Sequence, residues 1–123
     1  MKKPPLSEKD VKKQIRDCLY AVGARPVSIG ASILGENGIS DFLVCYKGQF
    51  VAIEVKKEGW APPGRQAKAY KHYVKQWEFL QSIKMSGGRA FFASSVETVI
   101  DELGLNVELY PLFYEKGGQH GKV

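Results

Sequence analysis

The sequence predicts a three-layer α/β domain, a small mixed β-sheet flanked by helices. Three observations carry this. The chain has 123 residues, enough for one hydrophobic core and too few for two comfortable ones. Its hydrophobic periodicity runs helix, three strands, helix, strand, helix. The two strands within 42–55 are apolar at almost every position, the pattern of strands covered on both faces.

The first helix begins after Ser7, a good N-cap, with Glu8 and Asp10 in its first turn where the helix dipole favours acids. Val11, Ile15, Cys18, Leu19 and Val22 follow at helical spacing and predict an amphipathic helix over 8–22, stopped by Gly23. Glu8 lies three residues before Val11 and seven before Ile15, so it shares their inward face. "PVSIGASIL" (26–34) reads as a first strand weakened by glycine, and "GENG" (35–38) as a turn. Two apolar runs then flank Lys47-Gly48, the tip of a hairpin. "KKEGWAPPGR" (56–65) is a loop because of its prolines and glycines. A long helix over 65–85 ends at Gly87-Gly88. "RAFFAS" (89–94) is a strand, and 95–103 is a short helix stopped by Gly104. "VELYPLFY" (107–114) is a candidate edge strand or subunit contact. Residues 1–115 form the domain and 116–123 a flexible tail.

Composition is that of a folded protein, 44% hydrophobic and 25% charged, with a net charge of +5. The excess of base points to an anionic partner, nucleic acid ahead of an anionic membrane surface. No apolar run of about 18 residues is present, and Met1-Lys2-Lys3 leads into prolines rather than a signal-peptide core. A soluble cytoplasmic protein without membrane partners is the expectation. Cys18 and Cys45 form no CxxC pair, and His72 and His120 are far apart, so no zinc site is indicated. Both thiols are expected to be free and buried.

The chemistry concentrates in "GISDFLVCYKGQFVAIEVKK" (38–57). If the hairpin turns on Lys47-Gly48, opposed residues have numbers summing to 95, so Val44 faces Val51 and Asp41 faces Glu54. Alternation then puts Asp41, Leu43, Cys45, Phe50, Ala52, Glu54 and Lys56 on one face. Phe42, Val44, Val51, Ile53 and Val55 take the other. Strand-end charges often just point into solvent. Two carboxylates opposed on a buried sheet instead repel, and either take up a proton or bind a cation. All-oxygen ligands favour Mg²⁺ or Mn²⁺. Lys56, on the same face, is placed to hold a water or a phosphate oxygen. A slip of one residue in register moves the two acids to opposite faces.

An aspartate, a dozen mostly apolar residues, and then Glu54-Val55-Lys56 resembles the signature of the PD-(D/E)XK nuclease superfamily. "GISD", the early Glu8 and a glutamine in the helix after the "EVK" triplet resemble its VRR-NUC branch, the virus-type replication-repair nucleases, in a stand-alone phage-like form. The resemblance spans roughly residues 7–94. One departure is Ser40, where the superfamily has proline. The resemblance implies a restriction-endonuclease-like fold and a Mg²⁺- or Mn²⁺-dependent, structure-selective DNA endonuclease, similar to Holliday junction resolvases and homodimeric like them. It implies Asp41, Glu54 and the Val55 main-chain carbonyl as metal ligands, with Glu8 completing the shell. It also implies Lys56 as the residue that positions or activates water, and Gln76 as its partner or a substrate contact. Dipole stabilisation is the plain alternative for Glu8, and a satisfied core-edge amide that for Gln76. Gln66 is a lesser competitor at the helix start.

Arg65, Lys68, Lys71 (or His72) and Lys75 recur at roughly helical spacing and predict a basic stripe on the second helix. With Lys57 they are the candidate nucleic-acid-binding residues. Lys12, Lys13 and Arg16 add charge on the first helix. Such stripes are ordinarily solvated faces; beside a phosphate-cleaving site they bind phosphate. Trp60 is placed to stack on a base or to pack on protein. No base-reading motif is present, so recognition by shape is expected. The competing classes are a non-catalytic nucleic-acid-binding module on the same fold and a plain interaction domain.

Overall fold

A computed structural model describes residues 3–28 and 41–105. The end of the predicted first strand, the 35–38 turn, the 107–114 segment and the 116–123 tail lie outside the described residues. The Ser7 hydroxyl accepts from the Asp10 N–H, and the Asp10 carboxylate accepts from the Ser7 N–H. This capping box starts α1, Glu8–Ala21, whose buried residues are Val11, Ile15, Cys18 and Leu19. The strands are β1 (Arg25–Ser28), β2 (Phe42–Tyr46), β3 (Gln49–Val55) and β4 (Arg89–Ala93). They form a four-stranded sheet in the order β1-β2-β3-β4. The first two pairings are antiparallel and β3–β4 is parallel, so the sheet is mixed.

The hairpin turns where expected. Tyr46 pairs with Gln49, and Lys47 and Gly48 both have positive φ, 51° and 78°. Positive φ at both central residues is the geometry of a type I′ turn, whose twist matches that of the strands. This turn sets the register Phe42↔Ile53 and Val44↔Val51, the pairing that the spacing predicts.

The second helix, α2, spans Tyr70–Met85, five residues shorter at its start than the periodicity suggests. Pro62-Pro63-Gly64 is followed by isolated turns, with the Ala67 N–H bonded to Gly64 O and the Tyr70 N–H to Ala67 O. Ala69, at the cap, makes no side-chain bond, and no acid lies in the first turn. At the other end Gly88 lets β4 start close by. A Cβ there would lie 2.7 Å from Ile83 Cγ2 and 2.9 Å from Phe50 O. The last helix, α3, spans Val96–Leu103, capped by Ser95 and ended by Gly104 at φ 62°.

The sheet lies between two helical layers. α1 and α3 contact each other and pack with Phe42, Val44, Val51, Ile53, Val55, Phe91 and Ala93 into the main core. α2 covers the opposite face, where Leu80 packs with Ala52 and Ala90, flanked by Leu43, Phe79, Ile83 and Phe92. Cys18 is buried, but Cys45 is exposed, contrary to expectation. Cys45 pairs with Phe50, itself 46% exposed, at the hairpin-tip end of the face that α2 leaves uncovered. Among the described residues no helix is long and apolar enough to cross a membrane.

Candidate active site

β2 begins at Phe42, and the Asp41 carboxylate, one residue before it, takes over the next step of the ladder. Its Oδ2 accepts the Val55 N–H at 2.9 Å. Within a strand the N–H and C=O of one residue leave on the same side, so the Val55 carbonyl also faces the Asp41 edge. Lys56 N–H turns the other way and donates to Ala93 O at 2.8 Å. The strand alternation thus sends Glu54 and Lys56 to the α2 side.

Glu54 is buried, with 5% exposure, although it carries an acid. Burial pushes its carboxyl up to about pKa 9, and the neighbouring Asp41 charge adds to the shift. Lys56 pulls the other way and Glu8 raises it further. The fold therefore holds two acids where their charges conflict, as the pairing arithmetic predicts. Gln76, equally buried, comes from α2 and joins Glu54 to Lys56. Its Nε2 donates to Glu54 Oε2 at 2.9 Å, and its Oε1 accepts from Lys56 Nζ at 2.7 Å. A carboxylate only accepts and an ammonium only donates, so the amide has one orientation that satisfies both. Glu54 Oε1 is sealed from water with no donor facing it, and a hydrogen bond with the Asp41 carboxyl adds to the upward shift of Glu54. Two carboxyls held this way share a proton or bind a cation.

Lys56 Nζ also lies 5.3 Å from the Trp60 ring centroid and 5.8 Å from that of Phe92. Trp60 packs on Phe92 at 5.0 Å and on Tyr73 at 6.0 Å. It is thus part of the protein's own aromatic cluster, folded over the lysine. The Trp60 loop is tied to the segment before α1, with Leu6 N–H bonded to Glu58 Oε1 at 2.6 Å and Glu58 N–H to Leu6 O at 3.1 Å. Ring faces and an amide oxygen attract an ammonium from several sides, which restrains a normally flexible chain.

Of the predicted site residues, Asp41, Glu54, Lys56 and Gln76 meet. Glu8 is exposed on the first turn of α1, before the helix's inward face becomes covered at Val11, yet its charge still reaches Glu54. Among the described residues no three His, Cys, Asp or Glu side chains gather closely enough to hold a metal ion. Gln66 is exposed in the loop. Lys68, Lys71, His72 and Lys75 line a shallow depression of about 250 Å³. Arg65 and Lys68 precede α2 rather than lie on it, since the helix starts at Tyr70. Lys57 is exposed beside Lys56.

Two site residues escape sequence reasoning. Lys12 crosses from α1 to place Nζ 3.2 Å from Asp41 Oδ1, although it looks like one of the basic residues of an outer helix face. The i,i+4 spacing from Glu8 was the available signal. Phe92 pairs with Glu54 across β3–β4, which only the parallel register reveals. The residues that could hold a divalent ion are Asp41, Glu54 and the Val55 carbonyl. They fit one in kind: two carboxylates, one with a stranded oxygen, and no nitrogen or sulfur ligand. Compared with known proteins, the chain matches no family model, no curated protein and no solved structure.

Proposed function

We propose that this protein is a Mg²⁺- or Mn²⁺-dependent endonuclease that hydrolyses phosphodiester bonds in branched or otherwise structured DNA, on a restriction-endonuclease-like fold. The carrying observation is the buried Glu54 carboxylate, set beside Asp41, bonded through Gln76 to Lys56, and left with one oxygen without a donor. Two opposed acids can coexist by sharing a proton, but that alone does not call for a lysine held beside them by a buried amide. A hydrolytic site needs all of it: acids to hold the ion, and a restrained ammonium to orient a water and steady the charge developing on phosphate. The ion, when bound, supplies Lewis acidity and a lower water pKa. Asp41, Glu54 and the Val55 carbonyl hold it, with Glu8 contributing negative charge from α1.

Gln76 keeps the Lys56 ammonium pointed along the α2 face, and Trp60 and Phe92 shut bulk water from its flank. The Lys68–Lys71–His72–Lys75 depression, with Arg65 and Lys57, carries the DNA backbone without reading bases. Symmetric cutting of a junction requires two copies of a chain with one such site. A phage-like role in the host cytoplasm accords with the resemblance. The test is cleavage of four-way junctions, flaps and linear duplexes with Mg²⁺, Mn²⁺ or EDTA. Metal-dependent cutting of branched DNA that is lost in Asp41→Asn and Glu54→Gln is expected. Salt-sensitive DNA binding without cutting under any metal supports the non-catalytic module instead.

A further inference from the structure

We propose that Lys12 is the resident counter-ion of Asp41 and competes with the divalent ion for that carboxylate, so that Lys12 sets the metal affinity of the site. This rests on the metal-binding reading above. Asp41 has two oxygens. Oδ2 is committed to the Val55 N–H at 2.9 Å, which completes the ladder. Oδ1 is met by Lys12 Nζ at 3.2 Å. A cation drawing on Oδ1 therefore finds an ammonium already there, and two positive charges on one oxygen repel.

The two lysines at the site differ in a way that assigns this role to one of them. Lys56 is fixed by a 2.7 Å bond to Gln76 and by two rings, and among the described residues its ammonium makes no direct bond to a carboxylate. Lys12 makes a longer bond than the 2.7–2.9 Å usual for charged pairs, and its side chain keeps 28% exposure. It has water on one side to move into. Its Nζ also lies 5.8 Å from the Phe42 ring centroid, so it does not depend on Asp41 alone for its place. Its helical neighbour Lys13 shows the ordinary alternative, an i,i+4 pair with Asp17 at 2.9 Å within the same helix. Lys12 instead spans 29 residues of sequence to reach the acid pair. When an ion takes Asp41, Lys12 is released at the rim of the site as a free positive charge.

Isothermal titration of the full chain with Mn²⁺, in the absence of DNA, tests this. Lys12→Met keeps the stem over Phe42 and removes the charge; it is expected to bind Mn²⁺ about ten-fold more tightly than the wild type. Lys12→Arg, which keeps the charge, stays within about two-fold of wild type, and Asp41→Asn loses binding. In EDTA, Lys12→Met melts below wild type, and Mn²⁺ narrows the gap. Equal or weaker binding by a folded Lys12→Met overturns the counter-ion role while leaving the metal site standing, because wild type and Asp41→Asn still differ. Absence of Mn²⁺ binding by the wild type overturns both. Lys12→Gln is read by the same criterion if the methionine variant does not fold.

Discussion

The two faces of the sheet share the same strands and differ in kind. Under α1 and α3, Phe42, Val44, Val51, Ile53 and Val55 pack into the main apolar core and are almost fully buried. Under α2, a smaller apolar centre of Ala52, Leu80 and Ala90 gives way to Glu54, Gln76 and Lys56 at one end and to exposed Cys45 and Phe50 at the other. The difference teaches where a small domain can keep a charge it must bury. One face carries the stability, which lets the other hold an ionisable group with an unsatisfied oxygen. Because both faces alternate along β3, Ile53 and Val55 anchor in the first core the very strand that presents Glu54 between them.

The sharpest way to separate the faces is to damage each. Glu54→Gln is expected to cut nuclease activity on the order of a thousand-fold, while its melting temperature in EDTA at pH 8 stays close to that of wild type, because the buried carboxyl is already largely protonated there and a neutral amide of the same shape replaces it. Phe42→Ala is expected to do the reverse, lowering stability by about 3–5 kcal/mol in denaturant titration while the surviving folded fraction still cleaves. If both variants lose stability alike, the division between a supporting and a working face is wrong.

A second test uses pH. The Glu54 carboxyl sits near pKa 9 in the fold, against an ordinary 4.5. Between those values the native protein holds a proton that the unfolded chain has released. Stability from this group is therefore complete below about pH 4.5 and falls as pH rises toward about 9. Melting curves in EDTA across that range should fall with pH for wild type and be flatter for Glu54→Gln. A wild type with no more slope than the variant breaks the claim that the α2 face stores this conflict.

The smallest effect is chemical and leaves activity alone. Cys18 is buried and its thiol is pushed up to about pKa 11, chiefly by burial and then by the Glu97 charge. Cys45 is exposed. Iodoacetamide at pH 8 should label Cys45 quickly and Cys18 only after unfolding, read by peptide mass. Equal labelling would mean that the α1 face opens as readily as the hairpin tip.

Much of this was legible in the residues. Period-2 and period-3.6 patterns marked every described element, Ser7 and Ser95 marked two helix starts, and Lys47-Gly48 set a register that makes Asp41 oppose Glu54. Gln76 was readable because it falls on the inward side of α2 with Leu80 and Ile83. The start of α2 was not, since periodicity runs on through residues 65–69 where no cap is present to begin the helix. The exposure of Cys45 was not either, because alternation assigns a face but not how far a helix covers it.

Local pattern by itself determined which residues share a strand face, because side-chain direction follows from backbone period alone. Only the tertiary structure decided what fills the space between layers. Lys12 meets Asp41 across 29 residues, and Trp60 and Phe92 close over Lys56. Those contacts join elements whose separation in sequence carries no periodic signal, and packing of the sheet against its two helical layers sets them.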